Sequence, residues 1–207
     1  AAATPVLGTQ PVQDDLTHQI NLKLKRAARD VNYSFLQGAY QAPANNSTGR
    51  KTRGMKNAIT TNTVAAGSAV VTKSTNDELL REMAASGAPF EKPVLFANAF
   101  NRQQVSNIYG YAPESRTEGG VAIQSLLTDF CSLGVVYDRD MPTDEVYIID
   151  VAQCAPVFMS IPEKGHFFVE PLAHTGSSWK YQLYGEIGLK YGPELWHGSI
   201  TGTATSA

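Results

Sequence analysis

The chain has 207 residues, 43% of them hydrophobic and 17% charged, which suits one large or two small folded domains whose sparse charge fits burial of surface against other chains. No apolar run approaches the roughly 20 residues needed to cross a bilayer, and the opening AAATPVLGTQ lacks the basic region and apolar core of a secretory signal. The net charge of −2 hides a split: residues 1–56 sum to +5 and residues 57–207 to −7, as on a nucleic-acid surface, on self-complementary faces of an assembly, or on ordinary solvated faces.

Residues 1–12 read as an extended lead-in broken by Pro5 and Pro11. With no initiating Met, the start reads as a processed or cut end. From Asp14 to Tyr40 there is no Pro, and the only Gly is Gly38. Leu16, Ile20, Leu24, Ala27, Ala28, Val31, Phe35 and Ala39 recur at steps of three or four, which predicts one face of a helix about 40 Å long. Leu22, Arg29, Tyr33, Leu36 and Tyr40 form a second stripe. Asp14 and Asp15 suit the positive end of the helix dipole. Pro43 ends the helix, and the polar ANNSTG run after it reads as a flexible turn. Asn45 and Asn46 match the glycosylation sequon, with no secretory signal to make it operative.

Arg50, Lys51, Arg53 and Lys56 cluster around Gly54. They could meet nucleic acid, but no aromatic residue interleaves with them, and an exposed loop is the plainer reading. A weak strand is expected near Ser68–Thr72. Thr75 and Glu78 have capping-box spacing for a helix running to Ser86, burying Leu79, Leu80 and Met83 and stopped by Gly87. Pro93–Ala97 reads as a buried strand. Asn98 caps a second helix through Tyr109, with Phe100, Val105 and Ile108 inward and Gly110 as its stop. Residues 111–120 read as a polar loop. Three strands follow, Val121–Leu127, Leu133–Tyr137 and Glu145–Val151, the last two expected to form a hairpin around the turn DRDMPTD. Val157–Ile161 and Phe167–Leu172 are short strands. From Trp179 to Tyr191 apolar residues sit at odd positions and Lys180, Gln182, Glu186 and Lys190 at even ones, which predicts one half-buried strand about 43 Å long. Its length matches the opening helix, so the two are expected to lie together, with the α/β unit inserted between them.

Chemistry is sparse. Cys131 and Cys154 are the only cysteines, too few for a metal site or a disulfide framework and expected to be buried and reduced. His166, Glu170 and His174 recur every four residues, but their apolar surroundings argue for a strand, where they stand about 13 Å apart. Asp138, Asp140 and Asp144 lack the glycine and bidentate glutamate of a calcium loop, and read as a solvated turn. No phosphate loop and no nucleophile elbow is present. An enzyme reading would rest on a cleft beside Asp138–Asp144 and His166–His174, and no motif asks for one. No catalytic, cofactor-binding or metal residue is therefore assigned.

Several segments, taken in order, resemble the major capsid proteins of tailed phages, in particular a subfamily first grouped as a domain of unknown function in phage heads. They are Leu7-Gly8-Thr9-Gln10 leading into LKRAARDVNYSFLQG, Thr48–Asn62, PVLFANAFNRQQVS, FFVEPLAHTG and EIGLKYGPELWHGSITG. The resemblance implies an α+β, Hong-Kong-type capsid fold in three parts. Residues 1–62 would form the spine helix and linker of a peripheral domain, 63–153 an axial domain, and 154–207 the β-rich return of the peripheral domain. It also implies self-assembly as pentamers and hexamers into an icosahedral virion shell around double-stranded DNA, made in the host bacterial cytoplasm with scaffold, portal or decoration proteins as further partners. No cofactor, sequence-specific DNA contact or membrane is implied. Only about twelve residues precede the spine helix, so the family's N-terminal arm and extended loop are expected to be missing here. A bacterial nanocompartment shell on the same fold is the alternative.

Overall fold

The computed structural model describes residues 15–45, 47–109, 114–118, 121–173, 176–177 and 180–206. The lead-in, Asp14, Asn46, Gly110, His174 and Trp179 lie outside them. Helices α1 (Asp15–Gln37), α2 (Met55–Ala58), α3 (Lys73–Ala85) and α4 (Ala99–Tyr109) alternate with strands β1 (Thr63–Ala65), β2 (Pro93–Ala97), β3 (Glu114–Glu118), β4 (Val121–Leu127), β5 (Ser132–Tyr137), β6 (Glu145–Asp150), β7 (Ala155–Phe158), β8 (Phe167–Pro171), β9 (Tyr181–Gly185), β10 (Ile187–Lys190) and β11 (Gly198–Thr201). The fold is α+β, as expected.

Seven strands form one mixed sheet in the order β1-β11-β6-β2-β5-β4-β3. All six residues of β6 are buried, because both faces of the sheet are covered. Val146 and Ile148 point into a core shared with Leu79, Leu80 and Met83 of α3, Val105 of α4, and Leu95, Leu133 and Ile200. Tyr147 and Ile149 point the other way, into a smaller cluster with Leu36 of α1, Met55 of α2, Ile59 and Met141, against which Leu189 and Tyr191 pack. Strand alternation thus puts two different cores on one strand.

Helix α3 starts earlier than the capping-box spacing implies. Thr72 is the N-cap and accepts from the Thr75 N–H at 3.2 Å, placing Thr75 inside the first turn. Its end follows expectation: Gly87 takes φ +80°, Gly87 N–H donates to Ala84 C=O and Ala88 N–H to Met83 C=O, a Schellman stop. Asn98 caps α4 through its Oδ1, which accepts from Asn101 N–H at 2.8 Å. Val105 is buried, Phe100 and Ile108 half-buried.

Five expectations fail. No strand runs near 68–72: Gly67 and Ser68 adopt φ of +61° and +66°, which breaks extended backbone, and the strand lies earlier, at β1. The expected loop at 111–120 holds β3, a polar edge strand paired with β4, which its charged sequence disguises. Strands β5 and β6 are not a hairpin, because β2 lies between them, parallel to β5 and antiparallel to β6. The long run to Tyr191 is two strands, β9 and β10, which exchange partners at Glu186. Cys131 and Cys154 are free but only half-buried. Strand β11, not anticipated, joins the main sheet between β1 and β6.

Candidate functional site

Two features outside the main core stand out, the seating of α1 and the β7–β10 ribbon. Helix α1 has 23 residues rather than 27, so about 34 Å. It ends at Gly38 because the chain crosses itself there. Gly54 N–H donates to Gly38 C=O at 2.8 Å, and a Cβ on Gly54 would stand 2.4 Å from Gly38 N and 2.8 Å from Ser34 O. Only a residue without a side chain lets these two backbones approach so closely. Asn57 Nδ2 adds a hydrogen bond to Gly38 C=O at 3.0 Å.

The last two turns of α1 are fastened to the sheet. Leu36, which spacing placed on an outward stripe, is buried at 5% exposure in the smaller cluster, whereas Tyr33 and Tyr40 of that stripe remain exposed. Asn32 Nδ2 donates to both carboxylate oxygens of Asp138 (3.1 and 3.0 Å) and to Asp140 Oδ2 (3.0 Å). Gln37 Nε2 donates to Asp140 C=O at 2.5 Å. The β5–β6 turn is therefore a clasp for α1 rather than a purely solvated loop. From residue 16 to 31 no residue is buried.

Three more clamps tie the connecting chain to the sheet. Glu145 of β6 is 8% exposed, accepts from the Tyr147 hydroxyl and pairs with Lys56 of α2 at 2.8 Å. The hydrogen bond from Lys56 Nζ to the Glu145 carboxylate raises the Lys56 pKa against the effect of burial. Burial pushes the Glu194 carboxyl up, but four hydrogen bonds from the N–H and hydroxyl groups of Thr60 and Thr61 outweigh it and hold the pKa below the ordinary range. His197 is fully buried. Its Nδ1 accepts from Asp150 N–H at 3.2 Å, so Nε2 carries the hydrogen that faces Tyr191 C=O at 2.5 Å. Burial lowers its pKa, which keeps the ring neutral.

In the ribbon, β10 pairs with β7 and β9 with β8, both antiparallel. Met159 N–H still reaches Glu186 C=O at 3.0 Å, so a nearly continuous strand 181–190 faces two partners separated by the excursion 159–166. The row containing Leu189 packs on the smaller cluster at its inner end. Cross-strand partners share a face, so that row continues outward through Ile187 with Phe158, Phe167 opposite Gly185, Val169 opposite Leu183, and Pro171 opposite Tyr181. The Phe167 ring lies over Gly185, 2.4 Å from where a Cβ would stand. Beyond Leu189 the row is largely open among the described residues, with the His166 ring tilted against Phe158: Phe158 is 44% exposed, Phe167 41% and Val169 40%. Two strands without a covering layer are marginal in water, and exposed apolar area of this kind marks a contact surface.

The residues considered from sequence are dispersed. His166 stacks at a tilt on Phe158, centroids 6.2 Å apart, and Glu170 pairs with Lys164 at 2.6 Å. Asp138 and Asp140 hold Asn32. The basic cluster is divided, since Lys56 serves Glu145 and Arg53 lies over the Tyr40 ring at 5.1 Å, while Arg50 and Lys51 stay exposed. Burial pushes the Cys131 thiol up and the Cys154 thiol to about 11, the opposite of a reactive thiolate. Among the described residues no group of three His, Cys, Asp or Glu side chains could hold a metal, and no helix is long and apolar enough to cross a membrane. Asn32, Gln37, Glu194 and His197 were not singled out from sequence, since nothing local distinguishes them from solvated polar residues.

A family model described as SU10 major capsid protein matches residues 2–204. No curated protein matches the sequence. Among solved structures, the fold is similar to that of the SrpI encapsulin of Synechococcus elongatus PCC 7942 in its holo complex (TM-score 0.69, 11% identity, covering 97% of this chain and 70% of that one). It is also similar to a structure from Mycobacterium phage Patience (0.57, 11%, 95% and 67%). A third is the procapsid of satellite phage P4 including its size determination protein (0.51, 13%, 93% and 69%). At these identities the likeness is one of fold.

Proposed function

The chain belongs to the SU10 major capsid protein family, and on that premise we propose that it forms pentamers and hexamers of itself in the head of a tailed double-stranded DNA phage. It is a phage major capsid protein, a structural component of the virion that self-assembles into an icosahedral shell. The observation that carries this is the family match along nearly the entire chain. The uncovered ribbon face supports it, because an assembling subunit needs apolar surface that only another copy buries.

In this reading residues 1–62 are the spine and linker, 63–153 the axial domain and 154–207 the return of the peripheral domain. The protein is not an enzyme, binds no cofactor or metal, encloses DNA without reading its sequence, and assembles in the host bacterial cytoplasm with scaffold, portal or decoration proteins. Electron microscopy and sedimentation of the purified chain test it. Shells or capsomers are expected, and replacing Phe167 and Val169 together by Ser should abolish them with little change in melting temperature. A chain that stays monomeric at high concentration would sink the proposal. The fold likeness to an encapsulin motivates a second reading, a nanocompartment shell, which shells filled with cargo protein instead of DNA would favour.

A further inference from the structure

We propose that the His197 ring is a proton-operated latch between the β7–β10 ribbon and the main sheet, closed while the ring is neutral and opened when its Nδ1 takes a proton. The ribbon, residues 155–190, joins the main sheet through two short crossings. One runs from the end of β6 to β7, over 150–155. The other runs from the end of β10 to β11, over 190–198. The buried ring lies between them and holds one main-chain group of each. Asp150 N–H donates to Nδ1 at 3.2 Å, and Nε2–H donates to Tyr191 C=O at 2.5 Å. Around the ring both crossings are drawn tight. Asp150 Oδ1 accepts from Lys92 N–H at 3.0 Å and Ala152 N–H at 3.1 Å, and Oδ2 accepts from Glu91 N–H at 3.0 Å. Asn62 Nδ2 donates to Leu195 C=O at 2.7 Å and to His197 C=O at 3.2 Å. Gly192 turns the second crossing at φ +67°, against Gln153 of the first, whose Cβ would stand 3.1 Å from a Cβ on the glycine.

The latch works because both ring nitrogens are committed. A neutral imidazole has one acceptor and one donor nitrogen, and an imidazolium has two donors. A proton on Nδ1 therefore takes the lone pair that Asp150 N–H uses and sets two donors against each other at about 3 Å. The ring relieves this by withdrawing, and its bond to Tyr191 goes with it. The charged groups that face the ring are the Asp150 carboxylate at the end of β6 and the Glu194 carboxylate on the second crossing. The first already accepts from three N–H groups, and the second is held by Thr60 and Thr61. Glu91 and Lys92 approach Asp150 through their main-chain N–H groups, and the nearby Cys154 thiol is uncharged. Burial disfavours a proton on the enclosed ring and outweighs the pull of Tyr191 C=O, Asp150 and Glu194, so the closed latch excludes the proton and the open one accepts it. The ribbon's remaining ties to the body include the Leu189 N–H bond to Thr52 Oγ1 at 3.2 Å and the packing of Leu189 and Tyr191 on the smaller cluster. Opening the latch lets the ribbon change its angle to the main sheet and carries its exposed apolar row with it.

Hydrogen exchange of the full chain, followed by mass spectrometry between about pH 7 and 5 and expressed as protection factors, tests the latch. A released ring has the ordinary histidine pKa of about 6.5, so the open form should gain about tenfold in population for each pH unit below that value. Protection over 150–154 and 190–198 should therefore fall about tenfold between about pH 6 and 5, while α3 keeps its protection. Glu194 stays ionised across this range, since its pKa lies below the ordinary carboxylate value, and Glu194→Gln should leave the pH dependence in place. His197→Gln keeps an acceptor and a donor but does not titrate, and should abolish the dependence. Where that variant does not fold, the profile of the unaltered chain decides. Crossings whose protection is independent of pH overturn the proposal, because the protonated ring then stays in its seat. An equal loss in α3 also overturns it, by making the change global, as does a dependence that survives in His197→Gln. The latch lies within one chain, so these outcomes stand apart from whether shells form.

Discussion

The crossing of Gly54 over the end of α1 makes a sharp quantitative test. At Gly54 the backbone has φ −85° and ψ 167°, which any residue adopts, so Gly54→Ala introduces no backbone strain of its own. Its Cβ would stand 2.4 Å from Gly38 N, 2.8 Å from Ser34 O and 3.0 Å from Gln37 N. All three are main-chain atoms, and no side chain can swing aside. The two segments must separate by the better part of an ångström, which costs about 1–3 kcal/mol as overpacking. Separation also stretches the 2.8 Å Gly54–Gly38 hydrogen bond, for about 1 kcal/mol more. Together about 2–4 kcal/mol predicts a melting temperature lower by roughly 5–15 °C for a chain of this size. Gly49→Ala is the control, because a Cβ there meets nothing within 4 Å and the lost unfolded-state freedom makes it neutral or slightly stabilising. Circular-dichroism melts of both variants decide the matter. Equal melting temperatures for Gly54→Ala and wild type would refute the close crossing.

Three further outcomes are expected. Asn32→Ala removes the donor shared by Asp138 and Asp140 and should cost about 1–3 kcal/mol, with hydrogen exchange rising in the last turns of α1 while α3 stays protected. Leu36→Ala should cost about 2–5 kcal/mol by opening the smaller core, read from chemical denaturation. Acid should act in two steps, because His197 and Glu194 both have folded pKa values below their unfolded ones. The unfolded chain then binds protons first as pH falls, so stability contributed by His197 is full above about pH 6.5 and declines below it, and that from Glu194 is full above about pH 4.3 and declines below it. Melting temperatures from pH 8 to 3 should show that Glu194→Gln removes the lower step alone.

What was legible in the sequence is what local chemistry decides. The helix α3 with its Gly87 stop, the strand Pro93–Ala97 and the Asn98 cap depend on neighbours a few residues away. Sheet order does not, so nothing in DRDMPTD reveals that β2 slips between β5 and β6. Polar β3 and the short β11 owe their extended state to strands distant in sequence. The alternation from Tyr181 to Lys190 was readable as one apolar and one polar face, but neither the partner exchange at Glu186 nor the exposure of the apolar face along β9 was, since both halves alternate in the same phase. At the α1 seat the apolar spacing was readable, yet Asn32 looked like a solvated helix residue and Asp138 like a solvated turn. Their meeting spans more than a hundred positions, and only the folded chain brings them together.

The one-sided seating of α1 has a mechanical consequence. A rod gripped at one end is a lever with its pivot at Asn32, Leu36 and Gly54. Residues 16–31 project about 24 Å from that pivot, so a tilt of about 5° moves the far end by about 2 Å, enough to exchange one set of contacts for another. Shape changes between subunits of one shell would then be written at the pivot, in a few tenths of an ångström of packing, and read out at the distant tip.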